Sequence, residues 1–176
     1  PAIIEAVENG TSRPAREAMA HAALLSGLAL ANSGLGMAHG VAAALGVHAS
    51  IPHGLACAVM LPRALKVNRE AGRTTLAQAG RVMRQSLVDS NLSELSAREM
   101  ANMASLGSDD AATEFVIQIV EHLCERIEIP ITLTKLGVTR DQIPAIVASS
   151  HGNSMSGNPK EISDEELTTL LESMTA

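Results

Sequence analysis

Two consecutive stretches decide how this chain is read: Gly34-Leu-Gly-Met-Ala-His39-Gly-Val-Ala-Ala-Ala-Leu-Gly46, and Ile51-Pro-His53-Gly-Leu-Ala-Cys57-Ala-Val-Met-Leu-Pro62. Both are made almost wholly of Ala, Gly, Leu, Val and Met, and each carries an imidazole near its start. Side chains this small suit helices at close approach, whereas sheet layers favour β-branched and aromatic residues. The rest of the chain has the same character: of 176 residues 46% are hydrophobic, yet there is one Phe and neither Trp nor Tyr. The composition therefore predicts an all-α fold in one helical domain over residues 1–176, a length sufficient to bury a core.

Working outward, Met37 to Leu45 reads as a helix stopped at Gly46. Gly54 to about Arg69 is apolar nearly all round, the mark of a buried central helix, with a bend at Pro62. Upstream, Thr11 or Ser12 caps a helix that has Pro14 in its first turn, runs to about Ala31 and ends at Asn32-Ser33-Gly34. The start, Pro1 to Gly10, reads as the tail of a helix, so the chain is expected to begin within something longer. Downstream, Thr74 to Leu87 is amphipathic and Ser96-x-x-Glu99 has capping-box form. Asp109 or Asp110 opens a helix ending near Ile127, with Ala112, Phe115, Val116, Ile119, Val120, Leu123 and Ile127 as its core-facing stripe. Ile129 to Leu133 is strand-like, but Pro130 argues against a central strand. Thr139-x-x-Gln142 and Ser163-x-x-Glu166 open two further helices. Between them Ser149 to Pro159 forms a polar loop longer than a connection requires.

Several function classes are excluded. A net charge of −6 offers no basic footprint for a nucleic-acid backbone, and without rings there is no base-stacking platform. The most apolar run, Gly54 to Leu65, is cut by Pro62 and bounded by His53 and Lys66, so no membrane partner is expected. Two cysteines within apolar runs are too few for a disulfide framework, which favours a reduced, cytoplasmic setting. No Walker, nucleophile-elbow or zincin motif occurs. Gly34-Leu-Gly36 resembles the start of a dinucleotide fingerprint, but it lacks the third glycine and a leading strand. Such a loop could present helix N–H groups to an anion, and tight helix packing accounts for the glycines equally well.

The chemistry-bearing candidates are histidines. His39 and His53 each open or enter an apolar helix, where a partly desolvated imidazole needs a partner. Metal ligation is one solution, since neutral imidazole suits iron, zinc, copper or nickel. Two histidines are few for a site that ordinarily takes three or more protein ligands, and on residue type alone imidazoles bonded to backbone carbonyls are the plainer reading. Glu17 and His21 share a helix face and would chelate, although exposed pairs at that spacing are common. His48, in the intervening loop, is a candidate accessory ligand or proton carrier, and an exposed loop imidazole is the simpler reading. His151 belongs to the polar loop and could reach a cleft, while His122 carries no expected role. Cys57 reads as a small core residue more readily than as a nucleophile.

Taken together, Arg16-Glu-Ala-Met, Ala31-Asn-Ser-Gly-Leu-Gly-Met-Ala-His39, Ile51-Pro-His53-Gly-Leu-Ala-Cys-Ala-Val-Met-Leu-Pro62, Leu136-Gly-Val, Ile143-Pro-Ala and Ser156-Gly-Asn-Pro159 closely resemble the iron-containing (group III) alcohol dehydrogenases, in their C-terminal helical domain. The resemblance covers essentially the whole chain. It implies a helical bundle of the dehydroquinate synthase-like type. It also implies a divalent metal, iron or zinc, held by one Asp and three His, of which His39 and His53 match the last two. NAD(P) would lie on an N-terminal nucleotide-binding α/β domain, which these residues lack, as they lack the Asp-x-x-x-His motif that supplies the first two ligands. Glu17 and His21 fall in a later helix than that motif, which argues against them as substitutes. Many relatives carry a further His four residues after the first matched ligand. Ala43 stands there in this chain, so a proton relay through that position is in doubt.

The function so implied is the metal-binding half of an NAD(P)-dependent oxidoreductase acting on a small alcohol, aldehyde or ketone, inactive as this stretch alone. A competing reading from another class is a non-catalytic helical interaction or oligomerisation module, for instance a homo-oligomer, and a site completed across such a dimer is a third.

Overall fold

A computed structural model of the chain describes residues 2–89 and 107–175. Among the described residues there are eight α-helices and no strand: α1 (Ala2–Glu8), α2 (Arg13–Ser33), α3 (Met37–Ala49), α4 (His53–Val67), α5 (Arg73–Asp89), α6 (Asp109–Arg126), α7 (Ile143–Ser150) and α8 (Asp164–Ser173), with 3-10 turns at Thr134–Leu136 and Arg140–Gln142. The all-α fold is thus what the small-residue composition predicts. The capping box expected at Ser96 and Glu99 lies outside the described residues. No single described helix is long and apolar enough to cross a membrane.

The chain forms two compact units, one of Pro1–Asn32 with Gly72–Ile127 and one of Ser33–Ala71 with Glu128–Ala176. In the first, α5 packs along α6. Ser108 caps α6, its hydroxyl accepting from Ala111 N–H at 3.2 Å. Ala112, Phe115, Val116 and Ile119 of the predicted stripe are buried, and Val120, Leu123 and Ile127 are half-buried. The helices approach so closely at Gly80 that a Cβ there would run into the Ala112 carbonyl. Ion pairs join the same two segments, Arg81 to Asp109 at 2.6 Å and Arg73 to Asp110 at 2.8 Å.

The second unit is built around α3. Met37, Val41, Ala44 and Leu45 on α3, Ala56, Val59 and Met60 on α4, Ile143, Ile146 and Val147 on α7, and Leu167 and Leu171 on α8 share one core with Leu133 and Met174. Each large aliphatic side chain removed from water here contributes about 1.5–3 kcal/mol. Leu133 N–H donates to the Met174 carbonyl at 2.7 Å, so the strand-like run before it is an irregular segment pinned by its last residue.

Two helix expectations are corrected. α3 does not stop at Gly46 but runs to Ala49 and closes at Ser50, whose left-handed backbone (φ 54°) ends it. An interior glycine costs only about 1 kcal/mol, less than the burial of Val41, Ala44 and Leu45 contributes. Gln142 Nε2 also donates to the His48 carbonyl at 2.9 Å, satisfying a last-turn acceptor. α4 is continuous through Pro62, and instead of being buried all round it buries one face, Ala56, Val59, Met60 and Ala64, while Leu61 is 41% exposed.

Candidate metal centre

The second unit carries the site. His39 is the third residue of α3 and His53 the first of α4, and the intervening turn is anchored by buried Ile51. This turn brings the two imidazoles together: His39 Nδ1 lies 3.2 Å from His53 Nε2, with ring centroids 5.3 Å apart and planes inclined at 45°. One helical turn after His53, Cys57 Sγ lies 3.4 Å from His39 Nδ1 and 3.5 Å from His53 Nε2. His53 is exposed and the other two are half-buried, so the cluster opens to one side.

Two imidazole nitrogens bound to one cation at about 2.1 Å, with an angle of about 90–110° between the bonds, stand about 3.0–3.4 Å apart. The observed separation falls in that range, so the residues present fit a divalent metal. Burial, then the neighbouring His53 ring, lower the pKa of His39 from 6.5. Its neutral, ligating form is therefore the one the fold favours. Burial pushes the Cys57 thiol up, leaving it protonated at neutral pH when no cation is bound.

The ligand-bearing turn of α3 is held by a side chain from far along the sequence. Asn158 Oδ1 accepts from Met37 N–H at 3.0 Å and from Asn68 Nδ2 at 2.8 Å, while its Nδ2 donates to Asn68 Oδ1 at 2.9 Å and to the Lys160 carbonyl at 2.7 Å. Asn68 in turn donates to the Ala64 carbonyl near the end of α4 and accepts from Lys160 N–H. This amide pair clasps the start of α3 to the end of α4. It also takes the Met37 N–H that an anion would need, and the segments pack closely here: a Cβ at Gly36 would meet Asn158 Oδ1 and one at Gly157 would strike the Leu35 carbonyl, whereas Gly34 makes a left-handed turn (φ 75°) in open space. Sequence reading missed both asparagines, and the only signal was the Ser156-Gly-Asn-Pro159 match.

The other candidates have surroundings of their own. His48 Nε2 is 2.7 Å from Ser149 Oγ near the end of α3. His151 Nε2 pairs with Asp164 Oδ1 at 2.8 Å and lines an open cavity of about 400 Å³ with Met155, Asn158 and Lys160. Glu17 is exposed and bonded to Arg13 at 2.7 Å, and His21 is exposed on the same helix. His122 is half-buried on α6. Ala43 stands one turn after His39, exposed. Cys57, read from sequence as a core residue, is half-buried between the two imidazoles. Its spacing of four from His53 on a helix was the available signal.

A family model described as Fe-containing alcohol dehydrogenase family, C-terminal, matches residues 2–175. The chain belongs to this family. It is 33% identical over 168 residues to a 1,3-propanediol dehydrogenase of Klebsiella pneumoniae, which covers 94% of this chain and 39% of that protein. It is 27% identical over 165 residues to an NADPH-dependent butanol dehydrogenase of Clostridium saccharobutylicum, with 91% and 38% covered. The crystal structure of a 1,3-propanediol oxidoreductase superposes with a TM-score of 0.82 at 28% identity, covering 98% of this chain and 41% of that one. The chain therefore spans about two fifths of the length of the relatives it matches, and its helical fold is that of the 1,3-propanediol oxidoreductase structure over that part.

Proposed function

We propose that the chain is the metal-binding helical part of an NAD(P)-dependent alcohol dehydrogenase, with His39 and His53 as ligands to a divalent cation, iron or zinc. The observation that carries this reading is the 3.2 Å approach of two ligand nitrogens from separate helices in a chain of this family. When bound, the cation supplies Lewis-acid polarisation of an alcohol or carbonyl oxygen, and the nicotinamide supplies the acceptor or donor of hydride. The part played by this chain is positional. α3 and α4 hold the two imidazoles at ligating distance, the Asn68 and Asn158 clasp fixes the helix ends that carry them, and the open side of the cluster admits substrate. Ala43 cannot move a proton at its place on α3, so any proton acceptor there comes from another residue. The relatives' names, 1,3-propanediol dehydrogenase, butanol dehydrogenase and lactaldehyde reductase, point to small alcohols and aldehydes as substrates, and this reading sets the enzyme in the cytoplasm.

On this reading the 176 residues alone bind metal and transfer no hydride. Mixing them with the N-terminal part of a family member that supplies the nucleotide domain tests it. Metal uptake and alcohol oxidation should appear in the complex and disappear with His39→Ala or His53→Ala, whereas uptake indifferent to both substitutions would overturn the assignment.

One observation favours a second reading, a non-catalytic interaction or oligomerisation module: on α2, Leu24, Leu25 and Leu28 are 61%, 52% and 56% exposed. Sedimentation at several concentrations separates the two, since a metal-free homo-oligomer supports the module and a metal-loaded chain supports the enzyme.

A further inference from the structure

Three donor atoms, not two, meet at the α3 and α4 junction. Their separations, 3.2, 3.4 and 3.5 Å, describe a nearly equilateral triangle. A tetrahedral cation with bonds of about 2.1 Å to imidazole and about 2.3 Å to thiolate places its donors about 3.4–3.6 Å apart, which is one face of that tetrahedron. Among the described residues this is the sole group of three or more potential ligands within ligating reach of one another. His53 and Cys57 are four apart on α4, and so share one face of that helix.

We infer that Cys57 is a third metal ligand, giving this chain its own His39, His53 and Cys57 donor set, with the remaining coordination positions left to ligands from outside it. This rests on the reading of His39 and His53 as ligands and adds to it. Binding replaces the thiol proton, which passes to solvent, with a metal–sulfur bond. A thiolate softens the set, so zinc or cobalt(II) is preferred over iron(II) more strongly than two imidazoles with oxygen ligands would prefer it. The chain is thereby able to hold a cation before any other part of an enzyme contributes a ligand.

The test is titration of the purified chain with cobalt(II), followed by absorption. The wild type should develop a near-ultraviolet thiolate-to-cobalt charge-transfer band that saturates at one equivalent. Cys57→Ser should lose that band, keep the weaker visible bands of bound cobalt, and bind more than tenfold more weakly in competition with zinc. Absence of the band in wild type, with binding still abolished by His39→Ala, would overturn the cysteine ligand while leaving the histidine reading intact. Binding indifferent to His39→Ala and His53→Ala would overturn both. The wild-type spectrum decides the matter even if a variant fails to fold, and helical circular dichroism identifies such a failure.

Discussion

The α5 and α6 pair and the α3 and α4 pair bring polar groups together in opposite ways. Between the segments of α5 and α6 the polar groups that meet are of opposite charge, Arg81 with Asp109 and Arg73 with Asp110, at the rim of a stripe of Ala112, Phe115 and Val116. Each pair neutralises its own charges, although Arg73 Nε is buried without a hydrogen-bond partner. Where α3 meets α4, three groups of the same kind, two imidazoles and a thiol, stand within 3.5 Å of one another. Opposite charges at a helix rim describe packing, and like donors close together in a partly dry corner are what the proposed cation would use. A family match alone does not distinguish the two pairs, since it covers both.

The difference can be broken at four points. Removing a ligand has the largest effect. At a metal concentration about one hundred times its dissociation constant the wild type gains about 2.7 kcal/mol, and His39→Ala or His53→Ala should abolish that gain in a thermal melt. Equal stabilisation of variant and wild type would make the α3 and α4 corner no different from the other pair. Next comes the clasp. Asn158→Ala leaves Met37 N–H without its side-chain partner and takes one hydrogen bond from each end of the Asn68 amide, a loss of about 3 kcal/mol in denaturant unfolding, together with about tenfold weaker metal binding because α3 loses its anchor. A stability loss without a change in affinity would confine Asn158 to packing.

The reciprocal change belongs to the other pair. Gly80→Ala should cost about 1–2 kcal/mol, because the clash with the Ala112 carbonyl outweighs the gain in helix propensity. Metal affinity of the folded protein should stay at the wild-type value, and a fall would join the pairs functionally. The smallest effect is in pH. The hydrogen bond from Lys160, then that from the Ser163 backbone, hold the Glu166 carboxyl below its usual 4.5. As pH falls the unfolded chain binds that proton first, so the contribution is full above 4.5 and is lost as pH drops through the lowered value. Glu166→Gln should flatten that slope slightly, and less so in high salt because the pair is exposed. An unchanged slope would show that the capping box acts without its charge.

Most of the helices were legible from residue chemistry. Asp109 at the start of α6, Ser163 with Glu166 and the stripe on α6 are local signals, and the structure follows them, although the α6 cap itself is Ser108, which the sequence reading passed over. Gly46 misled because a glycine is a stop only when nearby burial does not outweigh its cost, and burial is a tertiary property. The one-sided burial of α4 was hidden for the same reason, since Leu61 and Met60 look alike in sequence. In the candidate site the two imidazoles stood out by their apolar surroundings, whereas Cys57 was masked by the usual place of cysteine in cores. Asn68 and Asn158 are 90 positions apart, and nothing local marks two asparagines as partners.

The central claim, that His39 and His53 hold a divalent cation, is tested most directly by anomalous X-ray diffraction at the absorption edge of zinc from crystals of the zinc-loaded chain. The expected result is one strong peak within bonding distance of both His39 Nδ1 and His53 Nε2. A peak elsewhere, such as beside His151 and Asp164, with none at the α3 and α4 junction would contradict it.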